Sequence, residues 1–227
     1  MSATRIFAPL FVRRSVPVPT WRGWVLIVTL IAALLCSLPR PLFSLLSVTE
    51  PVGSGILVIE GWVSDQAIEE GVAAYRSGHY AHIVTTGVPI EYGAYLSSYG
   101  NTANLARATC MRLGIDSTMI SAAPAHGHVE RDRTLASARA LRTWLQRNAP
   151  ATREIDILSQ GVHARRTRMI FARVLGDSIR VGIIAAREVH YGGNNWWKTS
   201  AGVKDVGGEV IGYVYAAWGR DQAPLEE

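Results

Sequence analysis

Short apolar runs alternate with longer amphipathic stretches from about residue 54 towards the end of the chain. The runs lie at 56–59, 81–85, 118–121, 155–158 and 181–184, and most are rich in Ile, Leu and Val. The intervening stretches, of 13 to 16 residues, lie at 65–77, 98–113, 133–147, 162–175 and 203–218. Short runs of this kind are typical of buried strands, and the longer stretches are typical of helices. The alternation predicts an α/β domain over 54–218, whose mainly parallel sheet has helices on both faces.

A longer apolar segment precedes this domain. No charged residue lies between Gly23 and Pro39, and Trp21 and Trp24 stand at the leading edge of the run. The segment approaches the roughly 17–25 apolar residues that a helix needs to cross a bilayer, and tryptophan favours the headgroup region. We therefore predict one N-terminal transmembrane helix over 21–38. The proline at its end should stop the helix, because proline lacks a backbone donor.

The charges that flank the segment predict its orientation. Four arginines precede it, one follows closely, and no acidic residue occurs before Glu50. By the positive-inside rule the tail 1–20 is cytoplasmic and the domain is extracytoplasmic, with a linker at 39–53 and a C-terminal tail at 219–227. Cleavage as a signal peptide and lipid attachment at Cys36 are alternatives. Both are disfavoured, because no convincing small-x-small site is present and a bulky leucine precedes the cysteine.

Composition narrows the classes of partner. The net charge of +5 comes from the five arginines of residues 1–49, because 18 basic and 18 acidic residues follow from Glu50 onward. A nucleic-acid-binding domain would carry the basic charge on its own surface, so we predict no nucleic-acid partner. Cys36 and Cys110 are poorly placed to pair, so neither a disulfide nor a cysteine-based metal site is predicted.

Polar residues and glycines directly follow four of the predicted strands. They are Glu60-Gly61, Thr86-Gly87, Gln160-Gly161 with His163, and Glu188 with His190. In an open α/β sheet, ligands bind beyond the carboxyl ends of the strands, so we expect a ligand site at this edge. A carboxyl group at a strand end is partly withdrawn from water, which makes Glu60 a candidate general acid or base. The alternative explanation is that these loops are polar because they face solvent.

The segment from Gly161 to Arg168 carries the strongest local pattern. It follows a strand, opens a helix and contains one histidine and three arginines. Free backbone N–H groups and the positive end of a helix, next to guanidinium groups, suit a phosphate or a carboxylate. We therefore expect His163 and Arg166 to hold an anion, although a solvated basic helix face would give the same pattern.

Patterns for other cofactor or metal sites are weak. His126-x-His128 with Glu130 could ligate a metal, but this spacing is unspecific and no further ligand is evident, so no metal site is predicted. The sequence has no phosphate-binding glycine-lysine loop, no Gly-x-Gly-x-x-Gly and no Gly-x-Ser-x-Gly. These absences argue against standard nucleotide hydrolases, dinucleotide oxidoreductases and α/β-hydrolases. The cofactor, if any, is left undetermined.

Several of these segments together resemble one family of bacterial envelope proteins, the SanA/ElyC/YdcF-like family. The matching pieces are Leu57-Val-Ile-Glu60-Gly-Trp62-Val-Ser-Asp65, Thr85-Thr86-Gly87, Arg131-Asp-Arg-Thr134-Leu-Ala-Ser137-Ala138, His163-Ala-Arg-Arg166 and the tail from Trp196 to Tyr215 with Glu209. The resemblance implies a Rossmann-like three-layer fold behind one membrane helix. It also implies a pocket lined by Glu60, Thr86, Gly87, Thr134, His163 and Arg166. Gly61, Asp65 and Arg131, from the same matching segments, are further candidate ligand-binding residues.

The resemblance also implies a functional class. Family members are associated with envelope integrity and with peptidoglycan or its lipid carrier, and a cytoplasmic member is linked to S-adenosylmethionine. We therefore expect an envelope-biogenesis factor of the bacterial inner membrane that binds a phosphorylated lipid or glycan precursor, with Glu60 and His163 as candidate catalytic residues. A non-catalytic envelope scaffold, a phosphate-ester hydrolase and a nucleotide- or S-adenosylmethionine-binding protein remain alternatives.

Overall fold

The computed structural model describes residues 17–37, 39–91, 93, 95, 97–127, 129 and 132–218. The chain divides into two units, residues 1–38 and 39–227. In the first unit, helix α1 covers Trp21–Ser37, and the side chains described along it are largely exposed. Among the described residues, no helix combines the length and the apolar content needed to cross a membrane. The predicted transmembrane helix therefore stays a prediction.

The second unit is built on one parallel sheet. Its strands are β1 Ser54–Glu60, β2 His79–Gly87, β3 Ile120–Pro124, β4 Glu154–Gln160 and β5 Arg180–Ala186. They are ordered β3-β2-β1-β4-β5, and every neighbouring pair is parallel. The order reverses beside β1, the arrangement that places ligand sites at the carboxyl edge in open α/β sheets. The predicted α/β class and Rossmann-like sheet are confirmed.

Helices cover both faces of the sheet. They are α3 Asp65–Ser77, α4 Thr102–Arg112, α5 Arg133–Asn148, α6 Ala164–Leu175 and α7 Ser200–Ala217. Alternate residues along each strand point to opposite faces. Val58 and Ile157 accordingly join the core beneath α5 and α6, while Leu57 and Leu158 join the core beneath α3 and α4.

Residues assigned to a linker in the sequence form a further helix. Helix α2 covers Pro39–Leu46, and its Leu46 is buried in a third core with Trp196 and Val206. Pro39 was expected to stop a helix, yet it also begins one, because a proline in the first helical turn has no N–H bond to lose. Residues from Pro39 onward belong to the second unit.

One buried carboxylate fixes the segment that enters β1. Asp156 of β4 is fully buried and accepts hydrogen bonds from the backbone N–H groups of Val52 and Gly53, each at 2.7 Å. The phenolic O–H of Tyr80 donates to the same carboxylate at 2.7 Å. This carboxylate lies at the amino edge of the sheet, away from the predicted ligand site.

The observed boundaries agree only in part with the predicted ones. Helix α3 keeps the predicted bounds and is capped by Ser64, whose hydroxyl accepts a hydrogen bond from the backbone N–H of Ala67. Helix α4 begins at Thr102 rather than near residue 98, since the Asn101 side chain caps it. The third strand lies two residues later than predicted, after a 3-10 turn at Ser117–Met119.

Candidate functional site

Strands β1 and β4 bring the two candidate catalytic residues to the same edge of the sheet. Glu60 is the last residue of β1. After β4, Gly161 turns the chain with φ +49°, and a 3-10 turn carries His163 to the start of α6. Because β1 and β4 are adjacent parallel strands, their carboxyl ends meet. The edge predicted from sequence therefore contains both Glu60 and His163.

The Glu60 carboxyl group is buried beneath this edge. Glu60 is only 1% exposed, and the Thr167 hydroxyl of α6 donates a hydrogen bond to Oε2 of its carboxyl group at 3.1 Å. Burial raises the pKa of Glu60, an effect that nearby polar groups of Ser159 and Trp62 and the charge of His163 offset only in part. Oε1 has no hydrogen-bond partner of normal geometry among the described residues. Such orphaned buried atoms usually bind an ordered water or a ligand group.

His163 is held by a carboxylate from α7. Its Nδ1 lies 2.7 Å from Oε1 of Glu209, whose side chain is 7% exposed. Arg166 donates two hydrogen bonds to the same carboxylate, from Nε to Oε2 at 2.8 Å and from Nη2 to Oε1 at 2.9 Å. Glu209 therefore joins the histidine and the arginine that the sequence assigned to an anion.

The two donors control the ionisation of Glu209. Burial acts to raise the pKa of Glu209, but the hydrogen bonds and positive charge of His163 and Arg166 outweigh it and lower the pKa to about 2. The carboxylate is therefore ionised at neutral pH. A proton on Nδ1 of His163 then faces Glu209, which leaves Nε2 as the ring atom that can meet a ligand.

Trp62 bounds the other side of the histidine. Its ring meets His163 edge to face, with centroids 4.7 Å apart. No hydrogen bond connects Nε2 of His163 to any described residue. The imidazole is thus oriented from two sides, as is common for a group that binds or transfers a proton.

The predicted site residues at the ends of β1 and β2 have a packing role. A Cβ on Gly61 would lie 2.4 Å from the Thr102 carbonyl oxygen, and one on Gly87 would lie 2.1 Å from the Thr102 hydroxyl. Both glycines therefore let the start of α4 approach the sheet. Thr86, paired with Glu60 in register, is fully buried, and its hydroxyl has no partner within the described part of the chain.

Two other predicted site residues do not join the cluster. Asp65 is exposed at the start of α3, and Thr134 is half-buried in the first turn of α5. Arg131 lies outside the described residues. Of the candidate metal ligands, His126 is exposed, and His128 and Glu130 lie outside the described residues. No group of three metal-ligating side chains occurs in the described part of the chain.

Gln160 and Glu188 form a further polar contact at the carboxyl edge of the sheet, beside β5. The amide oxygen of Gln160 accepts a bond from the Ser64 backbone at 2.9 Å, and its amide nitrogen lies 3.4 Å from Glu188. Glu188 also accepts a bond from the Val189 backbone at 3.0 Å. These residues tie the β1, β4 and β5 loops together.

Sequence reasoning missed two members of the cluster. Glu209 carried part of the family resemblance but was given no role, and Thr167 was not considered. The available signal for Glu209 was a single acidic residue within an otherwise apolar stretch, Val206-Gly-Gly-Glu209-Val-Ile. Buried charged residues are rarely left without a partner, so such a residue points to a pair elsewhere in the chain.

Comparison with known proteins adds little to this geometry. No protein-family model and no curated protein matches the chain. Among solved structures, it is similar to the pantothenate synthetase of Thermus thermophilus, at 12% identity and a TM-score of 0.34, over 73% of this chain and 68% of that one. A similarity this low supports no inference about fold or function, so the site is interpreted from its own contacts.

Proposed function

We propose that this chain is a membrane-anchored factor of bacterial envelope biogenesis whose carboxyl-edge site binds an anionic, phosphorylated ligand. Ligand binding is inferred from the contact of His163 Nδ1 with Glu209 at 2.7 Å. This contact turns Nε2 away from the Glu209 carboxylate. The membrane part is supported by the arginine-flanked apolar run and by the resemblance to the SanA/ElyC/YdcF-like family.

The residues of the cluster take different roles in this proposal. His163 contacts the ligand at the beginning of α6, where the helix dipole favours an anion. Arg166 is a positioning residue rather than a direct anion ligand, because it forms two bonds to Glu209. The charges of Arg166 and Glu209 cancel, so the positive character at the ligand comes from the N-terminal end of α6.

A lipid or glycan precursor fits the expected location. A domain on the outer side of the inner membrane meets phosphorylated carriers and sugars rather than cytoplasmic cofactors. S-adenosylmethionine would be scarce there, which makes it the weaker ligand candidate.

Phosphate-ester hydrolysis is the second candidate function, and the raised pKa of Glu60 favours it. In this reaction Nε2 of His163 accepts a proton from water while the water oxygen bonds to phosphorus. The ester P–O bond breaks, and a neutral Glu60 carboxyl gives its proton to the leaving oxygen.

The test is ligand-induced thermal stabilisation of the purified full-length chain in detergent. The panel contains inorganic phosphate, a polyprenyl phosphate, a nucleotide and S-adenosylmethionine. The variants are His163→Gln and Arg166→Ala, with His79→Gln as the matched control because His79 is exposed at the start of β2. We expect a phosphorylated compound to raise the melting temperature of the wild type and the control, but not of His163→Gln.

Each outcome separates the candidate functions. A response that persists in His163→Gln would refute the proposed site. Release of phosphate that is lost in Glu60→Gln while binding remains would establish hydrolysis. Failure of every compound to stabilise the wild type would contradict ligand binding and favour the envelope scaffold.

A further inference from the structure

Helix α7 carries a continuous apolar surface that faces away from the domain. This surface, the α7 outer face, consists of Val203, Ile211, Val214, Tyr215 and Trp218, which are 42% to 79% exposed. At about 100° per residue these positions fall within an arc of roughly 120°. Within Ser200–Ala217, which is fully described, the charged residue in this arc is Lys204.

The opposite side of the same helix holds it to the domain. Val206 and Ala216 are buried in the cores, and Glu209 pairs with His163 and Arg166. The inner side therefore holds α7 to the domain, whereas much of the outer face stays exposed to solvent. Contiguous apolar surface of this kind on a folded domain usually marks an interaction site.

We propose that the α7 outer face lies in the headgroup region of an anionic lipid bilayer. This inference rests on the membrane anchor of the proposed function. The domain begins at Pro39, two residues after α1 ends at Ser37, so at most about 7.6 Å of chain separates the two Cα atoms. An apolar segment inserted in a membrane would therefore keep α2 at the membrane surface.

Helix α2 is packed directly against α7. Leu46 of α2 shares the third core with Val206 of α7, and Leu42 and Phe43 pack at its margin. Leu45 of the same helix α2 is 49% exposed. Tethering α2 to the bilayer therefore brings α7 to the same surface.

The chemistry of this side suits anionic lipid. Tyr215 and Trp218, 48% and 79% exposed, are the residue types that favour membrane interfaces. Arg40 stands over the ring of Trp197 at 5.4 Å, and Lys204 is exposed on α7 itself. Cations that border an apolar helix face attract anionic headgroups and strengthen interfacial binding.

Hydroxyl-radical footprinting of the full-length chain tests this placement. The chain is reconstituted as one copy per nanodisc containing phosphatidylglycerol, and side-chain oxidation is read by mass spectrometry. Trp62 and Tyr99, 42% and 41% exposed, are internal references of matching residue type. Although Trp218 and Tyr215 are more exposed in the folded chain, we expect them to be oxidised several-fold less than Trp62 and Tyr99.

Two substitutions make the test specific. Ile211→Glu introduces a charge at a position that is 73% exposed, and it should restore oxidation of Trp218. Met119→Glu, at a 38% exposed position beside β3, is the matched control and should change nothing. Protection should also weaken when phosphatidylcholine replaces phosphatidylglycerol, and equal protection in both lipids would overturn the role of anionic headgroups.

The outcomes distinguish this inference from the proposed anchor. Extraction of the chain from vesicles by alkaline carbonate would overturn both. Firm insertion with Trp218 oxidised as readily as Trp62 would overturn the placement of α7 alone. Protection that appears only with two or more chains per disc would show that a second copy, rather than lipid, covers the face.

Discussion

Glu209→Gln is the most informative single substitution at the candidate site. It keeps the size of the side chain but removes the charge that His163 and Arg166 contact at 2.7 to 2.9 Å. The guanidinium group and the imidazole then remain beside a neutral amide, which can accept from only one of its two terminal atoms. We expect a folded but less stable chain whose histidine is no longer fixed.

The size of the effect follows from the ionisation of Glu209. Its pKa falls from 4.5 to about 2 in the folded chain. At about 1.4 kcal/mol for each pH unit, this corresponds to on the order of 3 kcal/mol of stability at neutral pH. Since the folded pKa is the lower one, this stabilisation is complete above pH 4.5 and is lost as the pH falls towards 2.

Urea unfolding at a series of pH values measures this contribution. As the pH is lowered from 4.5 towards 2, the free energy of unfolding of the wild type should fall more steeply than that of Glu209→Gln. Glu91→Gln is the control, because Glu91 forms an exposed pair with Arg133, and such pairs contribute roughly 0–1 kcal/mol. Parallel pH profiles for the wild type and Glu209→Gln would refute the reasoning.

Three further predictions test other parts of the structure. Because burial raises the pKa of Glu60 above its unfolded value, the wild type should lose stability relative to Glu60→Gln as the pH rises above 4.5 in urea titrations. Asp156→Ala leaves three hydrogen-bond donors without their acceptor and should cost about 3 kcal/mol or more, seen as a lower urea midpoint. Gly87→Ala should lower the melting temperature because its Cβ would lie 2.1 Å from the Thr102 hydroxyl, whereas Gly207→Ala, with open space around it, should raise it slightly.

Most of the sheet could be predicted because most of its strands are short, distinct apolar runs. The helix predicted over 65–77 has the observed limits, Asp65–Ser77, since a polar cap precedes it and a glycine follows it. Strand β3 was misplaced because Ile120–Pro124 is rich in small residues and gives a weak apolar signal. Helix α2 was missed because Pro39 was interpreted only as a helix breaker.

The candidate site was predictable only in part. The rule that ligands bind at the carboxyl ends of parallel strands was enough to place Glu60 and His163 at one edge. The pairing of His163 with Glu209 joins residues of α6 and α7, and a sequence pattern does not give the angle at which two helices face each other. Arg166 could therefore be assigned to a ligand, although the structure pairs it with Glu209.

The proposed ligand site and the proposed lipid contact involve opposite sides of helix α7. Ile211 lies two residues from Glu209, or about 200° around the helix, so it cannot contact the carboxylate that holds His163. Ile211→Glu should therefore abolish the protection of Trp218 in nanodiscs and leave thermal stabilisation by the phosphorylated ligand unchanged. Glu209→Gln should do the reverse. If Ile211→Glu also removed the ligand response, α7 would have to shift when its outer face loses lipid, and the ligand site would depend on membrane contact.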